Sequence, residues 1–532
     1  MRPATVTTCL AVVAAVLTLG SISPESVADG WAGVQVAAAA ATSVAPNDPR
    51  IQYMGRVDFS NPAAPVFGWA ATTITVRFQG TSLRGSFRDS TGKDYLQVTI
   101  DGVISPTVIQ PSRTAATTYT LAGGLTDADH TAVIIKRTEF WGVVTFNGFL
   151  LDDGKTLLQP PARPARKIEF YGDSNVSAHD SEDSYDRGNS RYNNAWYGYA
   201  GITARMLGAE HHNLGWGGAG MTSRSSPLVQ NVWNRLRPDI AGSVYDFSQF
   251  DADVVVINAG SNDSYGGDNR TAVIAGWRDL IQRIRRVHPD AHVVLADSWG
   301  WSYVEPANYL GDAVALLNSQ GETNVSWVSW PWLWGQTHAV VEEHGGFANI
   351  LAAHIAAEMG WAAPAPNTLS SFAGTGRISN PGFEIVPIGL DRQSQASGWR
   401  QWNTGTSATS TVMTGNGAHA GTRYAQLAVG KRSGDAGFWQ AAPVTRGRIY
   451  TVTGSARRSA GASSKVFMRV EFKDQAQKII GSSVGAVPIT SSWGSYSSSA
   501  VAPVNAWSVN VVLQLQGSNT TVQFDDVDLG SH

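Results

Sequence analysis

KIEFYGDSN (167–175) opens on alternating and then continuous apolar positions and ends in a turn of small and polar residues, the pattern of a buried strand that stops abruptly. The same texture recurs downstream. EHHNLGW (210–216), DVVVINAG (253–260), HVVLADSW (292–299) and NVSWVSW (324–330) read as further strands. Between and after them, NAWYGYAGITARMLG (194–208), TAVIAGWRDLIQRIRRV (271–287) and EEHGGFANILAAHIAAEM (342–359) carry the helical period. Strand alternating with helix predicts an α/β/α domain over 166–364, with a parallel five-stranded sheet covered on both faces. In such sheets a ligand site lies beyond the carboxyl ends of the strands, and Ser174 is delivered to that edge.

On either side the texture is different. TTITVRF (72–78), YLQVTI (95–100), HTAVIIKR (130–137) and GVVTFNGFLL (142–151) are short alternating runs separated by Gly, Asp and Ser, and they predict a β-sandwich over 50–158. The Pro-rich LLQPPARPAR (157–166) ends it. After AAPAPNTLSS (362–371), β texture returns in RIYTVTGSARR (448–458), KVFMRVEF (465–472), SVNVVLQL (508–515) and TVQFDDVDL (521–529), predicting a second sandwich over 377–532. That segment holds Trp399, Trp402, Trp439, Trp493 and Trp507.

The whole chain of 532 residues suits several folding units, and its formal net charge of −3 gives no electrostatic footprint for nucleic acid. The single cysteine, Cys9, lies in CLAVVAAVLTLG (9–20), an apolar run behind Arg2 that is too short to span a bilayer. Residues 1–41 are therefore expected to be a signal peptide and spacer, cleaved near Ala28 or in the 37–41 alanine run, leaving a secreted, thiol-free chain with no membrane anchor. A monomer is expected.

A serine hydroxyl needs a base within hydrogen-bond reach and donors for the oxyanion formed when an ester carbonyl is attacked. NLGWGG (213–218) brings side-chain-free backbone to the end of the second strand, and GSND (260–263) brings the carboxamide of Asn262 to the end of the third. His338, after the fifth strand, is the candidate base, with His344 as its substitute, though His344 falls inside the last helix. Asn262 also suits a helix N-cap, and Ser174 a turn. His338, Glu342, Glu343 and His344 lack the i, i+4 histidine pair of a helical metal site, so no catalytic metal is expected. The GxSxG match at 481–485 is followed by β texture rather than a helix and is read as a loop.

GDSN, NLGWGG, GSND and the terminal His338 region resemble the four sequence blocks of the SGNH (GDSL-type) hydrolases. The resemblance implies Ser174 as nucleophile, an oxyanion hole of the Ser174 and Gly218 backbone N–H groups with the Asn262 side chain, and His338 as base. Including YMGRVDF (53–59), HTAVIIKRTEFWGVVTFNGF (130–149) and YDFSQFDADVVVINAGSND (245–263), the likeness extends to carbohydrate esterase family 2 over about residues 50–360. It implies a jelly-roll N-terminal sandwich and a deacetylase of plant cell-wall polysaccharide, acting on acetylxylan or acetylated glucomannan. Pectic or peptidoglycan O-acetyl groups, or a polysaccharide-binding protein without turnover, are the alternatives. NPGFE (380–384), Trp399 and FDDVDL (524–529) are similar to carbohydrate-binding modules of families 4 and 9, which implies a structural calcium near Glu384 and Asp525 or Asp526.

The sequence departs from the superfamily pattern just before its histidine. Gly335 and Gln336 stand where an Asp is usual, so a Ser174–His338 dyad is expected, with a backbone carbonyl of 334–336 accepting the other imidazole proton. Ala339 replaces a usual Pro, and Asn175 is a further departure. Trp299, Trp301, Trp330, Trp332 and Trp334 follow strands four and five and are candidates to line a polysaccharide cleft, with core packing the competing use.

Overall fold

Arg166–Gly172 (β1) forms the centre of a parallel five-stranded sheet with Ala209–Gly215 (β2), Val254–Asn258 (β3), His292–Ala296 (β4) and Val325–Val328 (β5), in the order β2-β1-β3-β4-β5. This computed structural model describes residues 41–183, 188–264, 270–296, 309–329, 338–369 and 378–532 except 379, 388, 390–394, 462–463, 475–477 and 484. Nearly every residue of β1 to β4 is buried, as a sheet covered on both faces requires. Tyr199–Leu207 (α1) and Val341–Glu358 (α4) pack on Ile168, Phe170, Val254 and Val256. Arg270–Ile284 (α2) and Tyr309–Ser319 (α3) pack on Tyr171, Val255, Ile257 and Val293 from the other side. The strand order reverses beside β1, so the residues after Gly172 lie at the switch point where such sheets bind ligands.

α1 starts at Tyr199, five residues later than its sequence pattern begins, because the preceding backbone is tied elsewhere. The Ala195 N–H donates to the Arg137 carbonyl and Arg137 Nε donates to the Asn193 carbonyl, both 2.8 Å. These bonds belong to the N-terminal domain, which is built from two antiparallel sheets around one core that includes Ile74, Phe78, Phe87, Phe146 and Phe149. The expected strands appear there as Thr73–Gly80, Leu96–Ile100, Ala128–Lys136 and Val144–Asp152. The domain also includes residues ahead of position 50. Ala41–Val44 is a strand, paired antiparallel with Phe149–Asp152, so its backbone groups are satisfied by the sheet.

The N-terminal domain also covers the edge of the parallel sheet. The His211 N–H lies 3.4 Å from Met54 Sδ, and all of β2 is buried although it is an edge strand. The C-terminal region forms two further five-stranded antiparallel sheets with a shared core around Phe438, Val452, Met468, Leu513 and Phe524. Arg400 of this region ion-pairs with Glu343 on α4, and both are buried. Glu343 Oε2 also accepts the Val340 N–H at 2.9 Å, so the C-terminal region braces the first turn of the helix that follows His338. Among the described residues, no helix is long and apolar enough to cross a membrane.

Candidate active site

β1 ends at Gly172 because nothing larger fits: a Cβ there would lie 2.0 Å from the Asn258 carbonyl oxygen at the end of β3. The chain then turns at once. The Asp173 carbonyl accepts from Val176 N at 3.2 Å, and the Ser174 carbonyl accepts from His179 N at 3.0 Å and Ser177 Oγ at 3.1 Å. This turn holds Ser174, which is 9% exposed, with its Oγ 2.8 Å from His338 Nε2. A hydroxyl this close to a neutral imidazole nitrogen donates its proton to it, the arrangement of a nucleophile with its base.

Asp173 organises the floor of the site. It is fully buried, its Oδ1 accepts the Asn175 N–H at 2.9 Å, and its Oδ2 accepts from the Ser261 hydroxyl, with Asn262 Nδ2 at 3.4 Å. Burial pushes its carboxyl up to about 6, against the hydrogen bonds from Ser261 and Asn175 and the charge of His338. Asn262 Nδ2 donates to the Ala219 carbonyl at 2.8 Å, which fastens the third block beside Gly218 of the second. Asp263 completes the fastening: it is fully buried and accepts from Met221 N at 2.8 Å, Thr222 N at 2.9 Å and Thr222 Oγ1 at 2.6 Å. Gly218 is exposed at φ +80°, a left-handed conformation suited to glycine, and its N–H has no partner among the described residues. Ser174, His338, Gly218 and Asn262 are thus gathered at the ends of β1, β2 and β3 and at the entry to α4.

His344 is not a substitute base. It lies fully buried in α4, where its Nδ1 accepts the Tyr199 N–H at 3.3 Å. Asn175 is also buried; its Oδ1 has no hydrogen-bond partner among the described residues, and nothing in the structure explains that choice of residue. Gly335 and Gln336, the carbonyls of 334–336, and Trp299, Trp301, Trp330, Trp332 and Trp334 lie outside the described residues.

Sequence reasoning missed Glu139. This N-terminal-domain residue reaches the same site: its Oε1 is 2.7 Å from His179 Nδ1, and its Oε2 accepts from Ser177 Oγ at 3.2 Å. A Cβ on Gly217 would lie 2.7 Å from that Oε2, so the glycine of the second block is also what lets Glu139 in. The one signal for it in the sequence was an acidic residue followed by Phe140 and Trp141 in the short connection between the runs 130–137 and 142–151.

In the C-terminal region, Trp399 is a core residue, with its Nε1 donating to the Asn380 carbonyl at 2.9 Å, while Trp402, Trp439, Trp493 and Trp507 are half-buried. Glu384, Asp525 and Asp526 come together beside Gly382 and accept local donors. Glu384 Oε1 accepts the Thr422 and Arg423 N–H groups, both at 2.8 Å, and Asp525 Oδ2 accepts those of His419 and Ala420 at 2.8 and 3.1 Å. Asp526 Oδ2 is 2.6 Å from His419 Nδ1. No group of three or more His, Cys, Asp or Glu suited to a metal is found among the described residues.

Two buried histidines make the stability of this domain sensitive to acid. Burial first, and neighbouring positive charge second, push both His211 and His344 from an ordinary value of 6.5 down to about 3. Between those limits the unfolded chain binds the protons and the fold does not. Stability is therefore present at neutral pH and is lost as pH falls from about 6.5 toward 3, by up to about 1.4 kcal/mol per histidine per pH unit. Relative to wild type, His344→Gln, which keeps an acceptor for Tyr199, is expected to lose less of its urea midpoint between pH 6.5 and 4.5. Identical pH slopes for the two proteins would refute the assignment.

Residues 53–161 match the carbohydrate esterase 2 N-terminal family, and residues 170–360 match the GDSL-like lipase/acylhydrolase family. A cellulase/esterase of Acetivibrio thermocellus is 33% identical over 334 residues, 59% of this chain, and the chain spans 40% of that relative's length. An acetylxylan esterase/glucomannan deacetylase of Cellvibrio japonicus is 27% identical over 332 residues, 60% of this chain and 92% of the relative. Among solved structures, a family two carbohydrate esterase from Clostridium thermocellum in complex with cellohexaose aligns with a TM-score of 0.54 at 31% identity, covering 59% of this chain and 100% of that one.

Proposed function

The chain belongs to carbohydrate esterase family 2, and on that premise we propose that it is a secreted serine esterase hydrolysing O-acetyl esters of plant cell-wall polysaccharide, acetylxylan or acetylated glucomannan. The single observation that carries this reading is the 2.8 Å contact between Ser174 Oγ and His338 Nε2 at the switch point of the sheet. Ser174 Oγ attacks the acetyl carbonyl carbon while its proton passes to His338 Nε2. The resulting oxyanion is met by the N–H groups of Ser174 and Gly218 and by Asn262 Nδ2. Collapse breaks the bond to the sugar oxygen, which takes the proton from His338, and leaves acetyl on Ser174. Water, deprotonated by the same imidazole, then releases acetate and restores the serine. With Gly335 and Gln336 where an aspartate is usual, the reading is of a Ser174–His338 dyad.

Support for a polysaccharide substrate comes from the deacetylase named above and from the half-buried tryptophans of the C-terminal region, which is proposed to act as a carbohydrate-binding module. The apolar run at 9–20 supports export. Acetate release is expected from acetylated xylan or glucomannan, at rates well above those on pectin or O-acetylated peptidoglycan. Release confined to the latter two would overturn the substrate, and binding to xylan with no turnover of an aryl acetate would overturn the enzyme.

A further inference from the structure

We propose that Glu139 and His179 form a positioning pair for His338, in which a carboxylate supplied by the N-terminal domain provides the negative charge that the absent aspartate does not. The inference rests on the Ser174–His338 reading and deepens it. His179 lies on the turn that carries the nucleophile, and its ring centroid is 4.5 Å from that of His338, with the planes at 51°. Its Nδ1 is 2.7 Å from Glu139 Oε1, and Trp141 stacks on it at 6.4 Å and 28°. Glu139 is held in place from both ends: its carboxylate by Ser177 and the Gly217 gap, its backbone carbonyl by Lys136 Nζ at 2.7 Å and the Trp141 N–H at 2.9 Å.

Burial acts to raise the Glu139 carboxyl, but the hydrogen bond from His179 and the charges of His179 and His338 outweigh it and hold the group below its ordinary value. An ionised carboxylate only accepts, so His179 Nδ1 carries the proton it donates, and the pair presents one negative charge when the His179 ring is neutral. That charge is buried beside a histidine that becomes a cation during acyl transfer, where low polarisability of the surroundings makes it effective. Among the described residues, Glu139, Asp173, His179 and His344 are titratable groups facing His338, and Asp180 Oδ2 lies 3.8 Å from the far nitrogen of His179.

The test measures 4-nitrophenyl acetate hydrolysis by the full chain. Glu139→Gln, which keeps the shape and removes the charge, is expected to lower kcat about tenfold with KM held within about twofold. It is also expected to move the acid limb of the kcat/KM profile to lower pH by about 0.5–1 unit, since a proton on His338 loses a stabilising charge. Glu139→Asp keeps the charge and the limb. His179→Gln, whose amide still donates to Glu139, is expected to lower kcat about fivefold at constant KM and decides the matter if Glu139→Gln does not fold. Wild-type kcat and an unmoved limb in the Gln variants, or an Asp variant shifted as far as the Gln variant, would overturn the pair. A Ser174→Ala protein that still turns over would instead overturn the underlying reading.

Discussion

Ser174→Ala is expected to lower acetate release by roughly four to six orders of magnitude while leaving the fold intact. The loss is large because the hydroxyl stands both against His338 Nε2, at 2.8 Å, and at the carboxyl edge of the sheet. Structural cost is small: the Ser174 carbonyl, not its side chain, makes the bonds to His179 N and Ser177 Oγ that define the turn. His338→Ala should cost about as much, and the double variant little more than either, because the two act as one unit and their losses do not add. The measurement is acetate release alongside a thermal melt for each variant. Activity above about one hundredth of wild type in a folded Ser174→Ala protein would show that another group attacks the ester, and a double variant far worse than both singles would show that the two residues act separately.

The parts of this site that were legible from sequence are those whose chemistry is local. GDSN, NLGWGG and GSND each place their functional groups within a few residues of a strand end, so period and turn composition suffice to find them. Glu139 was not legible because nothing near it in the chain uses it. It stands 35 positions before Ser174, and only the docking of the N-terminal domain on the catalytic one brings it to Ser177, His179 and Gly217. The late start of α1 has the same origin, since the bonds between 137 and 193–195 that delay it cross between domains. The strand at 41–44 was hidden for a different reason: four small residues carry too little alternation to register, and their pairing is decided by the partner strand. For Glu384 and Asp525 a resemblance supplied the expected ligand set, and the structure places their carboxylates against backbone N–H groups.

The same dependence on docking makes Arg56→Ala the variant with the largest expected effect on stability. Arg56 comes from the N-terminal domain, is fully buried, and ends against Glu169 in the middle of β1, with Nη2 3.1 Å from Oε1. Its other donors reach the Trp233 and Arg235 carbonyls at 2.7 and 2.9 Å and the Tyr171 hydroxyl at 3.1 Å, and the guanidinium lies 4.6 Å from the Tyr245 ring centroid. Glu169 also accepts from Tyr171, from His212 Nδ1 at 2.9 Å and from His288 Nε2 at 3.2 Å. Burial would raise the Glu169 carboxyl, but the Arg56 charge and these histidine bonds hold it well below its ordinary value, so it is an anion inside the protein. Removing Arg56 leaves that anion without its cation and takes the donor from the buried Trp233 carbonyl, a loss of about 3–5 kcal/mol in the unfolding free energy. Replacing both partners is far milder, because no charge is then stranded: Arg56→Met with Glu169→Gln should recover more than half of the loss. Urea unfolding followed by tryptophan fluorescence separates the two cases. An Arg56→Ala protein within about 1 kcal/mol of wild type, or a double variant less stable than the single, would show that the pair does not key the N-terminal domain to the catalytic sheet.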